Sequence, residues 1–252
     1  MSARSRPEIV ELGATVSPEQ ARALGIWDAV GGGGLDRRVW FCELSGEVPG
    51  RLPLVDRGVV LRLRETGARP AEVTVCLCPC RPSKLTSAWD TPRDTGSQCL
   101  DLVSDWRGEG RRLSASLTTR YPAGAVARVL AGKVSPEQLF TAAQKGFLAD
   151  CADRPVPLGR LAVHGPVHTR WWPARVWCGI PLDVERWMVT AASGVRLDLV
   201  ELSRRVERQG AEIAQLALES ALRRRGVDPA EPGQGPGIGR VLELLTGTSQ
   251  ES

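Results

Sequence analysis

The clearest pattern in the chain is alternation with a period of two. In LVDRGVVLRLRETG, Val59, Leu61 and Leu63 point one way, and Val60, Arg62 and Arg64 point the other. A turn near Thr66-Gly67-Ala68-Arg69-Pro70 leads into VTVCLC, which follows the same logic. Val73, Val75 and Leu77 make an apolar face; Thr74, Cys76 and Cys78 occupy the opposite one. Two neighbouring strands are thus predicted, with one greasy face and one face carrying arginine and cysteine. Residues 8–16 alternate more loosely as a first strand, and residues 38–43 predict a second. In the latter, Arg38, Trp40 and Cys42 share a face, with Val39 and Phe41 on the other.

Further on, LSASL at 113–117 predicts a short strand after a polar excursion over 83–110 that holds Trp89 and Trp106. Strands return in GRLAVHGPVHTRWW, ERWMVTA and VRLDLVELSRRV, the last two joined by a hairpin-like turn at Ala192-Ser193-Gly194. Helical signals separate the two groups. Ser17 and Pro18 cap and start a short helix. The stretch 124–151 is helical in pattern, broken near Gly132, with Ser135 and Pro136 as cap and first residue of its second part. Residues 208–225 predict a helix carrying Ile213, Leu216 and Leu222, closed by Arg223, Arg224 and Arg225 and capped by Gly226. PAEPGQGPGIG then reads as a flexible link to a short apolar tail at 240–246.

The chain has 252 residues, 42% of them hydrophobic and 25% charged, which is globular composition with enough length for a full core. No apolar run approaches a membrane span and the first residues lack the apolar stretch of a signal peptide. With seven cysteines, an odd number, this predicts a cytoplasmic protein with reduced thiols. Formal charge is +4, and only Lys84, Lys133 and Lys145 are lysines. The positive charge is therefore arginine, whose planar fork suits phosphate and carboxylate. A nucleic-acid partner is not expected from so modest a charge, with no concentrated basic patch beyond Arg223, Arg224 and Arg225. The four glycines at 31–34 do not make a phosphate loop, because a strand rather than a helix follows them.

The ordered series of strands resembles the CYTH-type domain family, also called the triphosphate tunnel fold, and within it a divergent bacterial branch. The G-V-x-L-R-x-R strand of that family matches Gly58 to Arg64. Its second strand matches Trp40-Phe41-Cys42-Glu43-Leu44, and its late E-L-S-x-K matches Glu201-Leu202-Ser203-Arg204-Arg205 with arginine replacing lysine. Glu185 and Trp187 match an acid and an aromatic of a later strand, and residues 123–151 match the helical linker between the barrel halves. Of the first-strand motif ExExK only Glu11 survives, with Gly13 in the motif region, and Cys76 and Cys78 stand where lysine and arginine are expected.

The resemblance implies an α+β fold: a closed antiparallel β-barrel with flanking helices, one domain over residues 1–228, and a flexible tail over 229–252. It implies a phosphorylated small molecule or nucleotide as ligand, gripped by Arg62, Arg64, Arg170 and Arg205 with Trp187 beside it. It implies Mg²⁺ or Mn²⁺ on Glu11, Glu185 and Glu201, with Glu11 and Glu201 as the catalytic pair of a triphosphate phosphohydrolase or related phosphoryl or nucleotidyl chemistry. Each of these side chains also fits a plain strand face carrying ion pairs. Cys76, Cys78 and Cys80 are thiol candidates, either for a soft metal or as a nucleophile; zinc is not expected, because no second Cys-x-x-Cys accompanies them. The tryptophans at 171, 172, 177 and 187 line or plug the cavity in the competing expectation, a catalytically inactive interaction or structural protein whose tunnel is filled by its own side chains. A homo-oligomer is compatible with every one of these readings.

Overall fold

The alternating strands close on themselves. A computed structural model describes residues 7–45, 51–191, 193–229 and 238–247. Its strands are β1 (Ile9–Val16), β2 (Leu35–Leu44), β3 (Val59–Thr66), β4 (Ala71–Leu77), β5 (Arg93–Asp94), β6 (Gln98–Arg107), β7 (Gly110–Tyr121), β8 (Leu161–Trp177), β9 (Ile180–Thr190) and β10 (Arg196–Glu207). Helices are α1 (Pro18–Ala23), α2 (Ile26–Val30), α3 (Ala125–Leu130), α4 (Ala142–Cys151), α5 (Ala211–Arg223) and α6 (Ile238–Thr246).

The sheet runs β1-β10-β9-β8-β2-β3-β4-β7-β6, and β6 pairs back onto β1, so nine strands form a barrel. The two-residue β5 extends the edge of β6. Closure removes the unpaired edges that an open sheet would expose. All pairings are antiparallel except the closing one: β1 and β6 run parallel, Ile9 to Leu12 against Val103 to Trp106. This one ladder departs from the all-antiparallel expectation.

The barrel is apolar outside and polar inside over much of its length. Val59, Leu61, Leu63, Val73, Val75 and Leu77 face outward and pack with Val126, Val129, Phe147 and Leu148 of α3 and α4. Val10, Leu12 and Ala14 of β1 join Val184, Val200 and Leu202 beneath α1, α2 and α5. A third apolar layer lies on the inner face: Val39, Phe41, Val167, Trp187, Val189 and Leu199 pack against Val241, Leu242 and Leu244 of α6. These residues alternate with the outward set, so this end of the barrel interior is filled and α6 covers it.

Several local expectations change. The 83–110 excursion contains a full strand, β6, with Leu100, Leu102 and Trp106 buried on its outer face. The short strand at 113–117 extends to twelve residues as β7. Ser135 and Pro136 start only a 3-10 turn. The helix after it begins at Thr141, whose hydroxyl accepts from the Gln144 amide while the Gln144 side chain accepts from the Thr141 amide, a capping box. Gln144 is itself fully buried and donates to the carbonyls of Val73 and Leu117, which ties α4 to β4 and β7. On α5 it is Ala211, Gln215, Leu218, Ala221 and Leu222 that are buried, while Ile213 and Leu216 face solvent. The apolar stretch expected in a flexible tail forms α6, held by its buried Val241 and Leu242. The link at 230–237 and Ala192 of the hairpin turn lie outside the described residues.

Candidate functional site: an arginine-lined tunnel

Above the apolar layer the interior opens into a cavity of about 740 Å³. That is within the ordinary range for a small-molecule site. Its wall carries seven arginines (37, 62, 64, 69, 107, 204 and 205) against five carboxylates (Glu11, Glu72, Asp183, Glu185 and Glu201). The balance favours an anion.

Alternation sets these positions. On β3, Arg62 and Arg64 project to the face opposite the buried Leu61 and Leu63. On β10, Glu201, Ser203 and Arg205 follow one another along the inner face, and on β9 Glu185 and Trp187 do the same. Register then brings strands together: Glu201 lies opposite Glu185, Glu11 opposite Arg205, and Glu11 beside Asp105 on β6.

Four of these carboxylates face a guanidinium, while Asp183 accepts from the Ala174 amide at 2.7 Å. Arg205 donates through Nε to Glu11 at 2.9 Å and reaches Asp101 at 2.7 Å. Arg37, nearly buried, lies 3.1 Å from Glu185, which also accepts from the Thr169 hydroxyl at 2.6 Å. Arg107 contacts Asp105 at 3.3 Å and Glu201 at 3.8 Å. Arg64 is ion-paired to Glu72. Burial pulls the Arg107 guanidinium down, but Glu201, Asp105 and Glu11 outweigh it and hold its pKa above the ordinary value. Burial is likewise outweighed at Arg205, by Glu11 and Asp101. At Arg37 burial wins and the pKa is lowered.

Three wall arginines, Arg62, Arg69 and Arg204, have no ion pair among the described residues; Arg62 is the one set on the inner face of β3 beside Arg64. It makes no hydrogen bond or ion pair with any described residue. Burial, then the neighbouring Arg64, lower its pKa. A part-buried cation beside a like charge is a costly arrangement unless an anion joins it. Two more donors on lining side chains are buried without a protein acceptor: Arg37 Nε and Trp187 Nε1. The Arg37 guanidinium also stacks 3.7 Å over the ring of Trp171, another lining residue.

Of the residues expected at the site, Glu11, Arg62, Arg64, Glu185, Trp187, Glu201 and Arg205 line the cavity together. Arg170 does not. It is half-exposed on the other face of β8, near Asp36 at 3.8 Å and over Trp172, because the inward positions of this strand are Thr169 and Trp171. The tryptophans divide the same way. Trp171 and Trp187 line the cavity, and Phe41 stacks on Trp187 at 6.4 Å, whereas Trp172 and Trp177 belong to the outer core.

Cys76 and Cys78 lie on the inner face of the β4 end, with Cys76 Sγ 3.5 Å from Ser114 Oγ; Cys80 is buried in the outer core. Burial pushes the Cys76 thiol up, and pushes Cys78 and Cys80 up to about 12. Raised in this way, the thiols stay protonated at neutral pH, which does not favour their use as nucleophiles.

The acids do not present a metal set in this arrangement. Among the described residues no three His, Cys, Asp or Glu side chains converge as ligands, and Glu11, Glu185 and Glu201 each face an arginine instead. Mg²⁺ needs several oxygens at short range in near-octahedral order. The residues present do not fit it.

Arg37, Arg69, Asp105 and Arg107 were not singled out by the sequence. For the last two the signal was there: Cys99, Asp101, Val103, Asp105 and Arg107 alternate with Leu100, Leu102, Ser104 and Trp106, which is a strand pattern hidden in a polar context.

No family model matches the sequence, and no curated protein matches it. Solved structures do match. A candidate adenylyl cyclase from Hippeastrum, reported with a dominant triphosphatase activity, aligns at a TM-score of 0.54 and 13% identity, covering 96% of this chain and 97% of that one. A candidate adenylate cyclase from Bacillus halodurans aligns at 0.54 and 14% identity, covering 93% and 97%. At such identity the likeness speaks to architecture, and the chain has the tunnel-barrel fold of these cyclase-like proteins.

Proposed function

We propose that the tunnel binds a phosphorylated small molecule, a triphosphate or a nucleotide carrying one. The observation that carries this is Arg62: a guanidinium in the tunnel wall, beside Arg64, with no acceptor among the described residues. An oligophosphate supplies the missing acceptors and the missing negative charge at once. The orphaned donors on Arg37 and Trp187 fit the same ligand. The triphosphatase activity of the Hippeastrum neighbour supports triphosphate as the ligand class. Trp171, already stacked by Arg37, offers an aromatic face for a base at the tunnel wall.

In this reading the tunnel holds its ligand and does not turn it over quickly. Glu11 and Glu201, the acids that would serve hydrolysis, are tied to Arg205 and Arg107. A second reading, metal-dependent triphosphate hydrolysis by the same acids, is favoured by the neighbour's activity. Titrating tripolyphosphate and ATP into the protein while following its melting midpoint, and assaying phosphate release in parallel, separates the two. The proposal expects stabilisation without product. Rapid metal-dependent release supports the second reading, and no stabilisation by any oligophosphate refutes both.

A further inference from the structure

Gly13 lies on β1 between Leu12 and Ala14, beside the Arg107 guanidinium, with no side chain of its own. A Cβ placed there would lie 2.8 Å from Arg107 Cζ and 3.1 Å from Arg107 Nη1. The volume beside β1 that any larger residue would need is therefore occupied by a guanidinium arriving from β6. That strand is the parallel neighbour of β1, and its pairing sets Asp105 against Glu11. Arg107 reaches across β1 from there, with Thr15 Oγ1 3.5 Å from Nη1 and Glu201 at 3.8 Å on the next strand. Its side chain is 18% exposed, and it borders the cavity.

One cation thus touches the carboxylates of two strands, β6 and β10, and lies beside a third, β1. That is the work a divalent metal does when it bridges acids on adjacent strands: it cancels their repulsion for an incoming polyanion. A fixed guanidinium does so without dissociating and still has N–H groups to offer a phosphoryl oxygen.

We propose that Arg107 takes the place of a divalent cation in this tunnel, so that the oligophosphate is bound without metal. The inference rests on the reading of the tunnel as an oligophosphate site. Gly13 is part of the device, since a Cβ there would make the guanidinium shift from its present position.

The test uses the full chain and inorganic tripolyphosphate, with binding read by calorimetry in EDTA and again in excess Mg²⁺, and Mn²⁺ binding to the ligand-free protein read by electron paramagnetic resonance. The wild-type chain should bind tripolyphosphate in EDTA within threefold of its affinity in Mg²⁺, and should show no tight Mn²⁺ site. Arg107→Met should weaken binding in EDTA at least tenfold, recover in Mg²⁺, and gain a Mn²⁺ signal as Asp105 and Glu201 are released. Arg107→Lys, which keeps the charge, should retain metal-free binding and guards against a folding defect in the methionine variant. Wild-type binding that appears only with Mg²⁺ overturns the proposal and leaves the tunnel reading intact. So does an Arg107→Met variant that binds in EDTA as tightly as wild type. Absence of binding under both conditions overturns the tunnel reading, and the proposal with it.

Discussion

Glu185 and Glu201 stand directly opposite one another in the β9–β10 ladder, yet each is held by an arginine from a different strand, Arg37 on β2 and Arg107 on β6. Like charges facing across a ladder repel, so the pair persists only because the cations are in place. The tunnel wall is thus a network of mutually dependent charges, not a row of separate groups.

Removing one member strands its partner. Glu185→Ala leaves Arg37, nearly buried, without its ion pair and Thr169 without its acceptor. Loss of a buried partner costs about 3 kcal/mol. Denaturant unfolding should show that loss, and Glu185→Gln, which keeps an acceptor for both donors, should recover part of it. Equal stability of all three proteins would contradict the described network.

The floor of the tunnel is apolar and depends on α6. Leu242 is 1% exposed and packs in the layer that contains Phe41 and Trp187. Leu242→Ala should destabilise the protein by about 3 kcal/mol, and for a chain of this length the melting midpoint should fall by about 6–10 °C. An unchanged midpoint would mean that α6 does not cover the barrel.

The thiols should react in an order set by burial. Cys178 is exposed, whereas Cys78 and Cys80 are held up to about 12 by burial. Peptide mapping after brief iodoacetamide treatment at pH 8 should find Cys178 modified first. Cys78 labelling ahead of Cys178 would mean that its thiol is activated after all.

Acid should dissolve the Arg64–Glu72 ion pair. Burial pushes the Glu72 carboxyl up, but Arg64 and its hydrogen bond outweigh that, so its pKa lies below the ordinary value of 4.5. A depressed folded-state pKa means that the stabilisation is fully present above about 4.5 and fades as pH falls through the folded value. The stability difference between wild type and Glu72→Gln should therefore be constant from pH 8 to 6 and shrink below 4.5. A difference that does not change with pH would remove Glu72 from this role.

Much of the barrel was legible because strands buried on one face announce themselves. Alternation set Arg62 and Arg64 on one strand face, the resemblance put them with Arg205 on a tunnel wall, and all three line the cavity. What failed had physical reasons. The bulged β8 pairs irregularly with β9 between Trp172 and Arg175 and with β2 between Val39 and Phe41. The resemblance put Arg170 on the tunnel wall, but on this strand Trp171 is the inward residue, and one slip in register moves every side chain to the opposite face. β6 was hidden because its inner face is polar, a tunnel wall being hydrophilic where a core would be greasy. The closing β1–β6 ladder and the reach of Arg107 to Gly13 are long-range facts that no local pattern encodes. The covering role of α6 could not be inferred from nine residues beyond a glycine- and proline-rich link.

The most direct test of the account is calorimetric titration of tripolyphosphate into the wild-type chain and into Arg62→Met. Arg62 has no acceptor to lose among the described residues, and a charge-assisted hydrogen bond contributes about 1.5–3 kcal/mol. Since the ligand-free protein is relieved of a part-buried cation beside Arg64, the variant should melt no lower than wild type, and it should bind roughly tenfold to a hundredfold more weakly. Equal affinity in the two proteins, or no binding by either, would contradict an anion site built around Arg62.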